Sequence, residues 1–412
     1  MSVLLTRRAV VQAKVESVYG QAETVGVDDG VLVSEPTYTI EPNVLERDFV
    51  RDSISQSPHI IGRKLAQMEF TTELRGNGKQ HSGNAADAPI ISRLFRACGY
   101  KMTSETGPWV KGVFDVDDHA NRVTWVSDVT QADNTDVICY FIEVTTAGES
   151  GVAEVTITSD TQGEGSAAQT IESGTDINVG THGLVLTPTF TGELVQGQKW
   201  VVWLMPAGLR LDPISDNFES ITLVMYKDGV KHVMPGAFGT FEITATAGEF
   251  ASVSWTFTGI WQAPVDEQMP TPNYERTLPS QVELARLRVG GFYAIVEEFT
   301  FDQANDIQIR PDVSSKEGYI GTRIVSRAPE GGINPEADLV ANNDFWSHLA
   351  NASRMPFQMR VGHQPGNTVW IVAPGVQYTG LTYADRNGIL TYDAGLKFPA
   401  YNSNDEIMFF LC

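Results

Sequence analysis

Residues 251–261, ASVSWTFTGIW, alternate with a period of two. Val253, Trp255, Phe257, Gly259 and Trp261 fall on one face, and Ser252, Ser254, Thr256 and Thr258 on the other. Successive side chains of a strand point to opposite sides, so this run is suited to a strand with one apolar face and one hydroxyl face. Strands that meet bulk water commonly carry charges. A smooth row of small neutral groups is a different kind of wet surface, and the rest of the chain has to account for it.

The same period recurs. In RKLAQMEFTTELRG (63–76), Ala66, Met68, Phe70, Thr72 and Leu74 alternate with Gln67, Glu69, Thr71 and Glu73. ITLVMYKDGVKHVM (221–234) contains Asp228-Gly229, a strong signal for a two-residue hairpin turn. Further strands are expected at 293–301, 319–327, 357–361, 368–373, 388–398 and 405–411. Helices are few. DAPIISRLFRACG (87–99) places Ile90, Ile91, Leu94, Phe95 and Cys98 on one stripe. Asp87 is the expected cap, Pro89 suits the first turn and Gly99 suits the end. A second short helix is expected within NNDFWSHLANAS (342–353).

At 412 residues the chain is too long for one ordinary core. Its formal charge is −22, which argues against gripping phosphates or anionic lipid. Between Glu105 and Gly208, fifteen acidic residues face only Lys111, Arg122 and Lys199, so twelve of the 22 net negative charges lie there. The same stretch holds short strands between Gly/Ser/Thr-rich turns, the pattern of a small β-sandwich. It reads as an insertion at 105–208. With it removed, two halves show the same order: strand, polar loop, short helix, strand with a turn, then a long hairpin. The expected division is therefore 1–104 and 209–285 for the first unit, and 286–412 for the second.

Signatures of chemistry are sparse. Seven histidines are scattered without zinc-type spacing. DVDDHA (115–120) gathers Asp115, Asp117, Asp118 and His119, but it lacks the glycine and closing glutamate of a calcium loop, so it reads as an acidic turn. Cys98, Cys139 and Cys412 form no disulfide framework. The N-terminal residues contain no apolar stretch of signal-peptide length, and no run of apolar residues is long enough to span a bilayer. No catalytic, cofactor-binding or metal-binding residue is assigned. Trp200 and Trp203 fall on opposite faces of one strand, and an exposed one would suit sugar stacking. The long polar loop 73–89, with 328–341 at the corresponding place in the second half, reads as an arm toward a neighbouring copy.

The segments AKVESVYG, VLERDFVRDSISQ, RKLAQMEFTTELRGNG, APIISRLFRACGY and YKDGVKHVMPGAFGTFEITATAGEFASVSWTFTGIWQAP resemble the tail tube (major tail) protein family of long-tailed bacteriophages. APGVQYTGLTYADRNGILTYDAGLKFPAYNSNDEIMFFL resembles the same family's ending. The resemblance implies a mainly β fold: two tandem barrel- or sandwich-like tube units with short helices, plus an inserted immunoglobulin-like decoration domain. It implies copies of the chain joined into rings that stack in the virion tail, made in the bacterial cytoplasm. Two units per chain imply a homotrimeric ring with pseudo-sixfold symmetry; one unit per chain would imply a homohexamer. The channel would hold the tape measure protein and then double-stranded DNA without tight binding. Tail terminator and distal tail proteins would be further partners, with no membrane and no catalysis. On that reading Ser252, Ser254, Thr256 and Thr258 line the channel beside Glu69, Thr71 and Glu73. Arg63 and Arg75 are the cationic exceptions. Lysine or arginine along the wall would hold phosphates and stall a passing duplex. The alternative is a carbohydrate-binding or adhesin-like β-protein, with a glycan-degrading enzyme as a third class supported only by abundant carboxylates.

Overall fold

The computed structural model describes residues 4–79, 84–116, 123–129, 136–315 and 317–412. Outside the segment between Glu105 and Gly208, the strands longer than two residues are β1 (Ala9–Val15), β2 (Ser34–Leu45), β3 (Ile60–Glu73), β4 (Tyr100–Glu105), β5 (Gly208–Pro213), β6 (Ile221–Lys227), β7 (Val230–Thr246), β8 (Ser252–Ile260), β9 (Val296–Asp302), β10 (Asn305–Pro311), β11 (Tyr319–Arg327), β12 (Glu330–Pro335), β13 (Met355–Val361), β14 (Val369–Arg386), β15 (Ile389–Lys397) and β16 (Met408–Leu411). Helices α1 (Ile91–Ala97) and α2 (Phe345–Ala350) are short.

The hairpin predicted at Asp228-Gly229 joins β6 to β7, with both residues at positive φ. β8 takes its face pattern from sequence: Val253, Trp255 and Phe257 are buried, while Ser254 is exposed. β8 lies between β3 and β7, and the order continues through the second half as β2-β3-β8-β7-β9-β12-β15-β14, antiparallel throughout. The first four strands come from one half of the chain and the last four from the other.

Both halves turn from this sheet into a second layer at the same kind of kink. Pairing of β6 with β7 jumps from Ile221↔Ala237 to Leu223↔Met234, passing over Pro235-Gly236. Pairing of β13 with β14 jumps from Met355↔Val376 to Phe357↔Ala373, passing over Pro374-Gly375. Proline cannot donate to the ladder, and Gly236 adopts φ +61°, so each pair bends the strand from one sheet into the other. Each half also encloses one helix. Phe95 of α1 sits 4.9 Å from Phe241 and 5.0 Å from Trp255. Phe345 of α2 sits 5.8 Å from Tyr378 and 5.2 Å from Tyr392.

Two sequence expectations need correction. α1 begins at Ile91, not Asp87; Asp87 ends a separate 3-10 turn and pairs with Lys79 at 2.9 Å instead of capping. The loop expected at 328–341 contains β12, whose Glu-Gly-Gly sequence carries no strand signal. Pairing on both sides imposes the extended form, and a side chain at Gly331 would collide with the Thr300 carbonyl. At the base of the polar loop 73–89, Gly76 N–H donates to Asn367 Oδ1 (2.9 Å) and Gly78 N–H to the Gly366 carbonyl (3.0 Å) in the same chain, while Lys79 is exposed.

Between β4 and β5 the chain builds two smaller sheets of five and three strands. Their shared core contains Tyr140, Ile142, Val155, Leu186 and Trp200. Glu105 pairs with Gly208, so the chain leaves and returns one strand spacing apart. β4 and β5 themselves join β16, and through it β14, so strands early in sequence complete the outer layer of the second half.

Candidate functional site: a polar sheet face between two open edges

Cross-strand registers place the polar side chains of all eight strands in rows. One row runs Ser34, Thr71, Ser254, Glu242, Asp302, Glu330, Lys397, Gln377. A second runs Glu73, Ser252, Thr244, Thr300, Gly332, Gly395, Gly380. A third holds Thr37, Glu69, Thr256 and Thr240. The row expected from the sequence, Ser252–Thr258 beside Glu69, Thr71 and Glu73, lies together on this face. Thr71 Oγ1 and Ser254 Oγ are 3.3 Å apart.

The opposite face is the core. Trp255 is 1% exposed and donates its indole N–H to Thr72 Oγ1 at 2.9 Å; Phe257 is fully buried. The apolar side is thereby sealed and the hydroxyls are left to face outward from the sheet.

Charge on the polar face is lopsided. Glu69, Glu73, Glu242, Asp302 and Glu330 sit in the three rows, against Lys397. Arg75, expected as a cationic exception, is tied down: it is 8% exposed, 3.6 Å from Glu73, and donates to the Thr277 and Glu275 carbonyls. Arg63 is exposed near the far end of β3. At the other rim Arg386 pairs with Glu297 at 2.9 Å. Such a face offers polar groups and repulsion to a polyanion, with little to hold it.

Both margins of the sheet are open. Among the described residues β2 pairs only with β3, and the Gln377–Arg386 part of β14 pairs only with β15. Ile40 on β2 is 42% exposed and Tyr383 on β14 is 57% exposed, though each lies on the core-facing side of its strand. Such unpaired edges are templates for another chain. The sequence reading missed β2, the key edge. Its TYTIE alternation is flanked by Pro36 and Pro42, and proline within a strand pattern is the signature of an edge.

Trp200 and Trp203 do point oppositely, but neither is a sugar platform. Trp200 is 1% exposed in the core of the two smaller sheets. Trp203 is fully buried against Trp370, Val372, Met408 and Phe410, with its indole N–H 2.9 Å from Gln358 Oε1. Gln358 donates in turn to Asp160 (2.8 Å), and Arg360 to Asp136 (3.0 Å), fastening the two smaller sheets to the second half.

Among the described residues no three His, Cys, Asp or Glu side chains are grouped to hold a metal, and Asp117, Asp118 and His119 lie outside those residues. No helix among the described residues is long and apolar enough to cross a membrane. The sequence model of one family, described as phage tail tube protein, matches residues 6–380. A comparison with individually curated proteins gave no match.

Proposed function

The chain belongs to the phage tail tube protein family, structural components of the virion tail that self-assemble into a tube, and from that premise we propose that its eight-stranded sheet is one third of a tube wall. One observation carries this reading. The sheet has a single polar face, and it ends in two edges of the same construction as the strands that meet inside it.

Copies then join head to tail, β14 of one to β2 of the next. Heterologous contacts of this kind close into a ring when the rotation permits. One chain cannot close alone into such a channel, because an eight-stranded barrel is just wide enough for its own side chains to fill. Three copies of the eight strands give twenty-four strands; at about 4.8 Å spacing and about 40° tilt these enclose a barrel roughly 48 Å across at the backbone. That exceeds the 16–18 strands that already leave an aqueous channel in porins. On this reading the ring is a homotrimer with pseudo-sixfold symmetry, residues 1–104 with 209–285 forming one tube unit and 286–412 the other.

The rings stack into the tube, and the polar face lines its bore. The tape measure protein and then double-stranded DNA occupy the bore without tight binding, because the acidic and hydroxyl wall neutralises few phosphates. Residues 105–208 sit outside the wall as a decoration domain. Tail terminator and distal tail proteins close the two ends of a tube made in the host cytoplasm.

Electron microscopy of the concentrated protein tests the proposal. Hollow fibres whose ring averages show threefold density with sixfold modulation are expected. Solid fibres, or a protein that stays monomeric at every concentration, would overturn it. Rings of six chains would overturn the trimer alone.

A further inference from the structure

The two halves of one chain already meet along β7 and β9, and that internal junction can be transferred residue by residue to the open edges. We propose that β2 of a second copy pairs antiparallel with the free part of β14, with Thr39 opposite Thr382 and Tyr38 opposite Tyr383. This rests on the head-to-tail reading above and deepens it by fixing the register.

The transfer uses only pairings within the chain. Pro235-Gly236 and Pro374-Gly375 mark the same kink in β7 and β14. Beyond it Phe238 pairs with Thr258, and Gln377 pairs with Lys397. β14 then has one extra residue, shown by its register shift between Tyr378 and Gly380. Glu242 therefore corresponds to Thr382, and Ile243 to Tyr383. On the other side Asp302 leads through Glu330 to Lys397, while Thr39 leads through Gln67 to Thr258. Asp302 therefore corresponds to Thr39, and Phe301 to Tyr38. The internal junction pairs Glu242 with Asp302 and Ile243 with Phe301.

Two further observations agree. Ile243 is fully buried and Phe301 is 1% exposed, whereas Tyr383, corresponding to Ile243, is 57% exposed and lacks its cover. The internal junction also sets two carboxylates, Glu242 and Asp302, directly opposite each other. Like charges so placed are destabilising, a cost the chain tolerates because both strands are already tethered. The transferred junction has two hydroxyls at that place, Thr39 and Thr382, so association from solution meets no such repulsion.

Paired cysteines read the register directly. Cys98 and Cys139 are buried, and Cys412 would be replaced by serine in the full chain. In that background Thr39→Cys with Thr382→Cys is expected to give covalent multimers up to a closed trimer on oxidation. Thr39→Cys with Ala384→Cys, two residues off register, should give at least tenfold less. Glu242→Cys with Asp302→Cys is the internal standard, which should bridge without any change of mass. If the double variant does not assemble, mixing the two single variants, Thr39→Cys and Thr382→Cys, should give a covalent dimer that neither forms alone. Hollow tubes without Thr39–Thr382 bridging, or with stronger bridging at Ala384, overturn the register and leave the tube reading standing. Neither bridges nor tubes overturn both.

Discussion

The two halves of the polar wall have the same strand order and different surfaces. In the first half hydroxyls predominate, Ser252, Ser254, Thr256 and Thr258 on β8 with Thr240 and Thr244 on β7, interleaved with Glu69, Glu73 and Glu242. In the second half glycines take many of those places, Gly332 on β12, Gly395 on β15 and Gly380 on β14, beside Thr300, Asp302, Glu330 and Lys397. The backs differ as well. Trp255, Phe257, Phe70 and Phe241 fill the first, while Phe299, Phe301, Tyr378 and Tyr392 stand with the smaller Ile333, Ala394 and Leu396 behind the second. The pairing pattern is common to both halves and the side chains are not.

That contrast can be broken at its strongest point first. Trp255→Ala should cost about 3–5 kcal/mol by opening a cavity beside Phe95 and Phe241. Ala394→Gly, behind the second wall, should cost about 1 kcal/mol or less. Denaturant titration of the two variants measures the difference, and equal losses would show that the two backs bear equal weight.

Wall charge comes next. Ser254→Lys with Thr256→Lys should leave stability within about 0.5 kcal/mol. Assembled tubes should then retain duplex DNA with a salt slope of about −0.9 for each lysine engaged. A single lysine in the second half, Thr300→Lys between Glu298 and Asp302, should give about half that total slope. Filter binding across a salt series separates the two halves.

A smaller backbone effect separates them again. Gly331→Ala should destabilise by about 1–3 kcal/mol through the collision with the Thr300 carbonyl, whereas Thr256→Ala should fall within about 0.5 kcal/mol. Thermal melting reads both.

The smallest expected effect lies in the helices. Asp344 accepts from Ser347 N–H at 2.9 Å at the start of α2, and α1 has no such side-chain cap. Hydrogen bonds from the Ser347 side chain and backbone hold the Asp344 carboxyl below its ordinary pKa. Its contribution is therefore present above the ordinary aspartate range and is lost as pH falls through the lowered value. Asp344→Ala should lower the melting temperature slightly at neutral pH and not at all in strong acid. A loss that persisted in acid would count against the cap.

Legibility in the sequence followed the range of the interaction responsible. The faces of β3 and β8 were readable because their alternation is local, as was the Asp228-Gly229 turn. The start of α1 was not, because Asp87 found Lys79 instead of a helix end. β12 was invisible for the same reason that it works: its glycines are there for close approach to β9, which no neighbour in sequence announces. Trp200 and Trp203 were correctly set on opposite faces, but only packing showed that both faces are covered.

By itself the sequence determined the strand period, the hydroxyl face, the short helices and the acidic stretch at 105–208, since each is a property of contiguous residues. Tertiary structure alone decided which strands are neighbours, that β2 and β14 end the sheet, and that carboxylates from both halves share one face. Ladder partners such as Glu242 and Asp302 lie far apart along the chain, and a strand's own residues specify its faces but not the identity of the strand beside it.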